Sequence, residues 1–214
     1  IIVSEMEHHA NLIPWQELAK TTGAIIKAIP IDEDGKLDLA AYQELLKNKT
    51  ALVAVTATSN VLGTITPVAE LSSLAHQAGA LIFVDGAQSI AHALTDVQSW
   101  DCDFLAFSGH KLYGPTGIGV LYGKKKLLDA MEPLSYGGGM IRRVAIDQAN
   151  YLRKSPHKHE AGTMNIAGIV GLGAAIDFVQ DIGLGEIERA LHDLTQYGLV
   201  RLGSVEGLSI KGGV

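Results

Sequence analysis

The sequence predicts an α/β protein in which helices cover a mainly parallel sheet. Short apolar runs alternate along the chain with amphipathic stretches, an alternation typical of strands connected by helices. The apolar runs are almost continuous, which predicts strands that are buried on both faces. With 214 residues, 47% hydrophobic and 19% charged, the chain has the composition of a folded protein and the length of one domain with part of a second.

Six apolar runs are predicted strands, namely residues 1–4, 24–29, 52–57, 80–84, 104–107 and 119–122. Three stretches between them, 14–22, 37–47 and 67–78, have the periodicity of amphipathic helices. Pro67 fits a first helical turn, and Gly23 and Gly79 fit helix ends.

The second half of the chain is less regular. A glycine-rich loop at 135–140 and a polar stretch to 159 precede a predicted helix at 166–179, whose small residues permit close packing. A break at 183–185 precedes a second helix at 186–202 and a strand at 208–211. The break near Asp181 predicts a boundary between a large domain, 1–180, and a smaller C-terminal domain, 181–214. Because the sequence begins and ends abruptly, we expect both domains to be truncated.

Charge and cysteine content exclude several classes of protein. The formal charge of -6 gives the chain no electrostatic reason to bind nucleic acid or anionic lipid. Cys102 is the sole cysteine, which rules out an internal disulfide and a cysteine metal site and fits a reducing cytoplasm. It is expected to be a small buried hydrophobe. No apolar stretch is long and uncharged enough to span a membrane.

Two ionisable residues lie where predicted strands end, and ligand crevices of α/β sheets open at such ends. Asp85 closes the strand at 80–84, and a buried carboxylate there needs a positive partner, such as a protonated pyridine nitrogen. A cap of the following turn is the alternative interpretation. Lys111 lies on a Gly- and Pro-rich loop after the strand at 104–107 and could form a Schiff base. The alternative is an exposed loop lysine.

Several ordered motifs resemble those of one enzyme family, the cysteine desulfurases, and most closely its group II, Suf-type branch among class V aminotransferase-like proteins. The cofactor-lysine motif is the string from Ser108 to Pro115, and Val84–Gln88 precedes it as in that family. The remaining motifs follow in family order: Glu7–Asn11, Ser59–Gly63, Gly137–Ile141 and Glu160–Thr163. The resemblance covers nearly the whole chain.

The resemblance implies the fold of the pyridoxal-phosphate-dependent transferases (fold type I), pyridoxal 5'-phosphate as cofactor, and a homodimer. It implies conversion of L-cysteine to L-alanine, with the sulfur held as an enzyme persulfide and passed to an acceptor protein for iron–sulfur cluster assembly. Some relatives also act on selenocysteine. The family's sulfur-accepting cysteine and substrate-binding arginine belong beyond Val214, so this chain alone is expected to be inactive.

The resemblance also implies the roles of individual residues. Lys111 would carry the cofactor and move the substrate α-proton, and Asp85 would pair with the pyridine nitrogen. His8 would stack on the ring and, as a second catalytic residue, help in proton transfer, and Gln88 would bond the ring hydroxyl. Asn60 would lie beside that oxygen and the substrate carboxylate.

The phosphate contacts implied by the resemblance come from Ser108, His110 and, across the dimer, Thr163. Two departures from the family pattern lie near that interface. Met164 stands where proline is common, and His157 stands where tryptophan is usual. These departures affect the role of Thr163 more than the fold.

Other interpretations remain open from the residues alone. The protein could be a class V transaminase or a kynureninase-like hydrolase, or the chain could be a non-catalytic, dimerising piece that binds cofactor. His8 and His9 could be an ordinary pair at a strand end. A metal site at 157–160 is disfavoured because alternate histidines on one segment seldom complete a site. The glycine loop at 137–139 lacks the following Lys-Ser or Lys-Thr of a phosphate loop.

Overall fold

The structure is a computed structural model that describes residues 1–147, 149–150 and 154–212. Its strands are β1 (Ile2–Ser4), β2 (Lys27–Ile29), β3 (Leu52–Thr56), β4 (Leu81–Asp85), β5 (Phe104–Ser108), β6 (Gly119–Gly123), β7 (Arg143–Val144) and β8 (Ala149–Asn150). Its α-helices are α1 (Ile13–Thr22), α2 (Leu39–Leu46), α3 (Val68–Gln77), α4 (Val97–Trp100), α5 (Lys125–Ala130), α6 (Ile166–Ile182) and α7 (Leu184–Gly203). Short 3-10 helices span His9–Asn11, Gly109–Leu112 and His157–His159.

Six strands form one sheet in the order β2-β1-β3-β4-β5-β6. The first five are parallel, and β6 pairs with β5 in the antiparallel direction. The mainly parallel α/β sheet predicted from the sequence is therefore confirmed. The chain passes from β1 outward to β2 and then returns to β3 on the other side of β1. Such a reversal opens a crevice at the carboxyl ends of the strands.

The core lies between the sheet and its helices, and its central members are fully buried. Val53, Val55, Ile82 and Val84 on the middle strands are 0% exposed. Tyr42 of α2 is also fully buried, and its hydroxyl donates to the Leu71 carbonyl oxygen at 3.0 Å. That bond satisfies a polar group which would otherwise oppose burial of the ring.

The helix boundaries follow from local chemistry. Gly23 ends α1 in the left-handed conformation, with φ of 73°, where glycine has no steric penalty. The Asp38 carboxylate accepts from the Ala41 N–H and caps α2, so this helix begins later than the periodicity predicted. Asn165 caps α6 in the same way, through the Gly168 N–H.

The two edges of the sheet differ from the prediction of strands buried on both faces. In β2, Lys27 and Ala28 are exposed, and in β6 Val120 and Leu121 are 38% and 53% exposed. An edge strand has a neighbour on one side only, and the helices cover the middle of the sheet more completely. Uniformly apolar sequence therefore does not guarantee burial on both faces.

The end of the chain also corrects the prediction. Residues 208–211 form no strand, because no described strand lies alongside to accept their backbone hydrogen bonds. Helix α6 runs through Asp181 to Ile182, and Gly183, with φ of 89°, separates it from α7. The break between the two helices therefore lies two residues beyond Asp181, the position near which it was predicted. The domain boundary itself stays a prediction, and residues 213–214 of the second domain lie outside the described residues.

The stretch between 135 and 159, predicted to be irregular, contains a small antiparallel hairpin of β7 and β8. Met140, within the predicted glycine loop, is fully buried. No single described helix is both long and apolar enough to cross a membrane. Together, α6 and α7 meet that length and composition, but they are bent by 71°.

A charged cluster binds the amino ends of β4 and β5 to β6. The buried Asp103 carboxylate accepts from the Ile82 N–H at 2.8 Å and contacts His76 at 2.9 Å and the Lys124 ammonium at 3.0 Å. The exposed Asp101 also contacts Lys124, at 2.6 Å. The hydrogen bond from Lys124 holds the pKa of Asp101 below its ordinary value.

We expect Lys124→Met to lower the free energy of unfolding by about 1 kcal/mol at neutral pH. A lowered aspartate pKa means stabilisation that is present above the unfolded-state pKa and lost as the pH falls through the folded-state value. The difference in unfolding free energy between the variant and the wild type should therefore become smaller as the pH falls. Urea unfolding across pH tests this, with the exposed Lys126→Met as control, and a difference that widens in acid would contradict it.

Candidate active site

A half-open cavity of about 400 Å³ lies at the carboxyl ends of β4 and β5, beside the turn that follows β1. Its walls combine ionisable side chains with small and aromatic residues. They are His8, Ala10, Asn11, Phe83, Asp85, Ala87, Ala106, Phe107, Ser108, His110 and Lys111. The volume lies within the range of small-molecule and cofactor sites.

The cavity brings Asp85 and Lys111 together. Asp85 is the last residue of β4, and its carboxylate accepts from the Ala87 N–H at 2.9 Å. Among the described residues, its second oxygen has no hydrogen-bond donor, and the Lys111 ammonium has no partner at all. Asp85 and Lys111 are thus two half-buried groups of opposite charge that line the same cavity, and each can still form further hydrogen bonds.

The loop that carries Lys111 is shaped by close backbone contacts. A Cβ at Gly109 would lie 2.8 Å from Ile118, and a Cβ at Gly114 would lie 2.9 Å from the Gly109 carbonyl oxygen. Only glycine fits such approaches. Leu112, next to the lysine, is 4% exposed and packs against Leu172 of α6. One buried side chain therefore anchors the 3-10 turn while Lys111 remains directed at the cavity.

His8 also lines the cavity and caps the 3-10 helix His9–Asn11. Its Nδ1 accepts from the Ala10 N–H at 3.1 Å. An acceptor nitrogen carries no proton, so in the neutral ring the proton lies on Nε2. The rings of His8 and His9 are 5.8 Å apart and tilted by 35°, and only His8 lines this cavity.

The donor set fits pyridoxal phosphate. Asp85 supplies an anion for a protonated ring nitrogen, Lys111 supplies an amine, and Ser108 with His110 supplies donors for a phosphate. Among the described residues, no group forms a hydrogen bond with the side chain of Ser108 or His110, so both side chains remain available for a phosphate. The small side chains Ala10, Ala87 and Ala106, which sequence reasoning did not single out, leave space between these groups.

Three residues assigned by resemblance lie outside this cavity. Asn60 is exposed and lines an adjoining space of about 440 Å³, which shares His8 with the first. Gln88 is half-buried, three residues after Asp85. Thr163 is exposed on a distant segment, so a contact from it to this cavity within one subunit is not part of the structure.

The segment before Thr163 is anchored to α5. The Lys158 ammonium donates to the Asp129 carbonyl oxygen at 2.6 Å, and the His159 ring contacts the Leu128 carbonyl oxygen at 2.8 Å. Carbonyl groups at a helix end attract such donors. The Gly162 N–H bonds the Gly138 carbonyl oxygen at 2.8 Å, which joins two motifs of the resemblance.

His157 contacts Glu160 at 3.4 Å. Within the described ranges, no cluster of three or more His, Cys, Asp or Glu residues could hold a metal ion.

Two further groups bear on the chemistry. Cys102 is fully buried, as expected, and burial raises the pKa of its thiol to about 11. A thiol with so high a pKa stays protonated at neutral pH and is therefore a poor nucleophile. Sequence reasoning missed a role for Glu7, whose carboxyl pKa is raised by burial; the available signal was an acidic residue directly before His8.

Comparison with known proteins gives a consistent result. The family described as "Aminotransferase class-V" matches residues 1–213. A probable cysteine desulfurase of Halalkalibacterium halodurans is 51% identical over 99% of this chain and 52% of its own length. The cysteine desulfurase of Dickeya dadantii is 51% identical over 100% of this chain and 52% of its own.

Among solved structures, the cysteine desulfurase CsdA (S-sulfonic acid) from Escherichia coli superposes with a TM-score of 0.92 at 43% identity. The match covers 96% of this chain and 51% of that one. The chain thus spans about half the length of the curated relatives that it matches.

Proposed function

The chain belongs to the aminotransferase class-V family, and from this premise we propose that the whole protein is a pyridoxal-phosphate-dependent cysteine desulfurase. The observation that carries the proposal is the cavity shared by Asp85 and Lys111. The similarity to proteins named cysteine desulfurase, at 51% sequence identity, supports the choice of reaction within the family.

When bound, pyridoxal phosphate supplies an electron-accepting ring that stabilises negative charge on the substrate's α-carbon. The proposed role of Lys111 is to hold the cofactor and to move the α-proton through its Nζ. Asp85 would keep a positive charge on the ring nitrogen, and His8 would stack on the ring and help in proton transfer. Ser108 and His110 bind the phosphate.

The remaining proposed contacts lie around this cavity. Gln88 bonds the ring hydroxyl, and Asn60 faces the substrate from the adjoining space. Thr163 reaches the phosphate of a partner subunit, which fits its exposure on a segment anchored away from the cavity. The proposed protein is therefore a homodimer, and its proposed location is the cytoplasm.

The proposed reaction converts L-cysteine and an enzyme thiol to L-alanine and an enzyme persulfide. A thiolate attacks the substrate sulfur, the carbon–sulfur bond breaks, and the carbon that loses sulfur gains a proton. Cys102 does not fit this role because it is fully buried, with a thiol pKa of about 11. We therefore assign the acceptor thiol to a residue beyond this chain, and on the family resemblance we assign the substrate-binding arginine there as well. The sulfur then passes to an acceptor protein for iron–sulfur cluster assembly.

The test is to incubate the full-length protein with L-cysteine, pyridoxal phosphate and a reductant. We expect the full-length protein to form equal amounts of alanine and sulfide. Cys102→Ala should form the same amounts, and residues 1–214 alone should form neither product. A keto acid product with an amino acceptor would indicate a transaminase instead, and alanine formed from kynurenine but not from cysteine would indicate a hydrolase. Sulfide release by the 214-residue chain would contradict the assignment of the acceptor thiol.

A further inference from the structure

The carboxylate of Glu7 lies in the turn between β1 and His8 and joins three parts of the fold. It accepts from Ser4 Oγ at 2.5 Å, from Asn11 Nδ2 at 2.6 Å and from the Thr56 backbone N–H at 2.9 Å. These donors belong to β1, to the 3-10 helix that His8 caps, and to the end of β3. A single side chain thus fixes the position of the turn that presents His8.

The hydrogen bonds continue from Glu7 toward the cavity wall. Asn11, 3% exposed, accepts from the Trp15 indole N–H at 3.1 Å. The Trp15 ring packs edge-on against Phe83, with ring centroids 5.5 Å apart, and Phe83 lines the cavity two residues before Asp85. The chain from Glu7 to Trp15 is therefore part of the support for the cavity.

The negative charge of Asp85 also acts on the Glu7 carboxylate. Thr56, which donates to Glu7, is the register partner of Asp85 between β3 and β4. Burial raises the pKa of Glu7, three hydrogen bonds lower it, and the charge of Asp85 raises it further. The groups that face its carboxylate are thus Ser4, Asn11, Thr56 and the second carboxylate, Asp85.

We propose that Glu7 is a positioning residue that acts through His8 and Asp85. Its three hydrogen bonds hold the His8 turn against the sheet, and its negative charge adds to that of Asp85, which would pair with the ring nitrogen of the bound cofactor. The inference rests on the proposed function. It adds to the cofactor site a supporting residue, which itself contacts neither cofactor nor substrate.

The donor pattern makes glutamine a poor substitute, although it has the same shape. A glutamine NH2 directed at Asn11 would meet the Asn11 NH2 group. Rotating the Asn11 amide would then direct that NH2 at the Trp15 N–H. Glu7→Gln therefore removes the charge and at least one hydrogen bond of the chain.

The experiment measures pyridoxal phosphate binding and the pH titration of its visible band in the full-length protein. We expect Glu7→Gln to weaken binding by about 10- to 100-fold. We also expect the midpoint of the titration to move to lower pH, because less negative charge remains beside the ring. The melting temperature of the cofactor-free protein should fall as well.

Asp103→Asn is the matched control, since Asp103 is a buried carboxylate that, like Glu7, has three partners but lies at the opposite end of the strands. It should lower the melting temperature but leave affinity and midpoint unchanged. If Glu7→Gln behaves in the same way, Glu7 is only structural and the proposal is overturned. If Glu7→Gln does not fold, Glu7→Asp decides: weaker binding with an unchanged midpoint supports the proposal, and unchanged binding overturns it. A wild-type protein that does not bind pyridoxal phosphate would instead refute the proposed function.

Discussion

Lys111→Ala is expected to abolish the visible absorbance band of the protein loaded with pyridoxal phosphate and to lower cysteine turnover by about 10⁴-fold or more. Lys111 is the single lysine that lines the cavity within the described residues. In the proposed mechanism its substitution removes both the covalent attachment and the proton carrier, and the described part of the chain offers no second lysine in this cavity.

The measurement is an absorbance spectrum after gel filtration, followed by borohydride reduction and peptide mapping. Lys126→Ala, at an exposed lysine on α5, should keep the band and the activity. A band that survives in Lys111→Ala, or a reduced adduct on another lysine, would refute the assigned role.

Asp85→Asn is expected to retain covalent attachment of the cofactor but to lower turnover by about 10²- to 10³-fold. Asparagine keeps the shape and can still accept from the Ala87 N–H. It lacks the negative charge that keeps a ring nitrogen protonated, so the ring stabilises the substrate carbanion less.

Stopped-flow spectra and turnover with L-cysteine check this expectation. Asp38→Asn makes the same chemical change at the cap of α2, where asparagine is an equally good cap, and it should leave turnover unchanged. Normal turnover by Asp85→Asn would show that the carboxylate is only a turn cap, the alternative that the sequence left open.

The sheet and the central pair of groups could be predicted because their signals are local. Apolar runs bounded by turn residues located β1, β3, β4 and β5, and a charged residue just beyond such a run is conspicuous. Asp85 and Lys111 both follow strands that end at one edge, so their meeting in one cavity follows from parallel pairing.

Other features depend on contacts between distant parts of the chain and could not be predicted. The exposure of Val120 and Leu121 is set by helix coverage at the sheet edge, and residues 208–211 lack a strand partner among the described residues. The three bonds of Glu7 reach up to 49 residues along the chain, to Thr56. The family motif contained Glu7 but gave no reason for its presence.

Leu112 and Leu172 belong to one buried cluster, which links the loop that carries Lys111 to α6 as well as to the sheet. A change that detaches this helix would release the lysine while the strands, whose main core lies around Val53 and Ile82, stay folded. With pyridoxal phosphate bound as proposed, heating should therefore bleach the visible band before overall melting, as a local opening within an intact remainder. Thermal inactivation would then report on one helix, not on global unfolding.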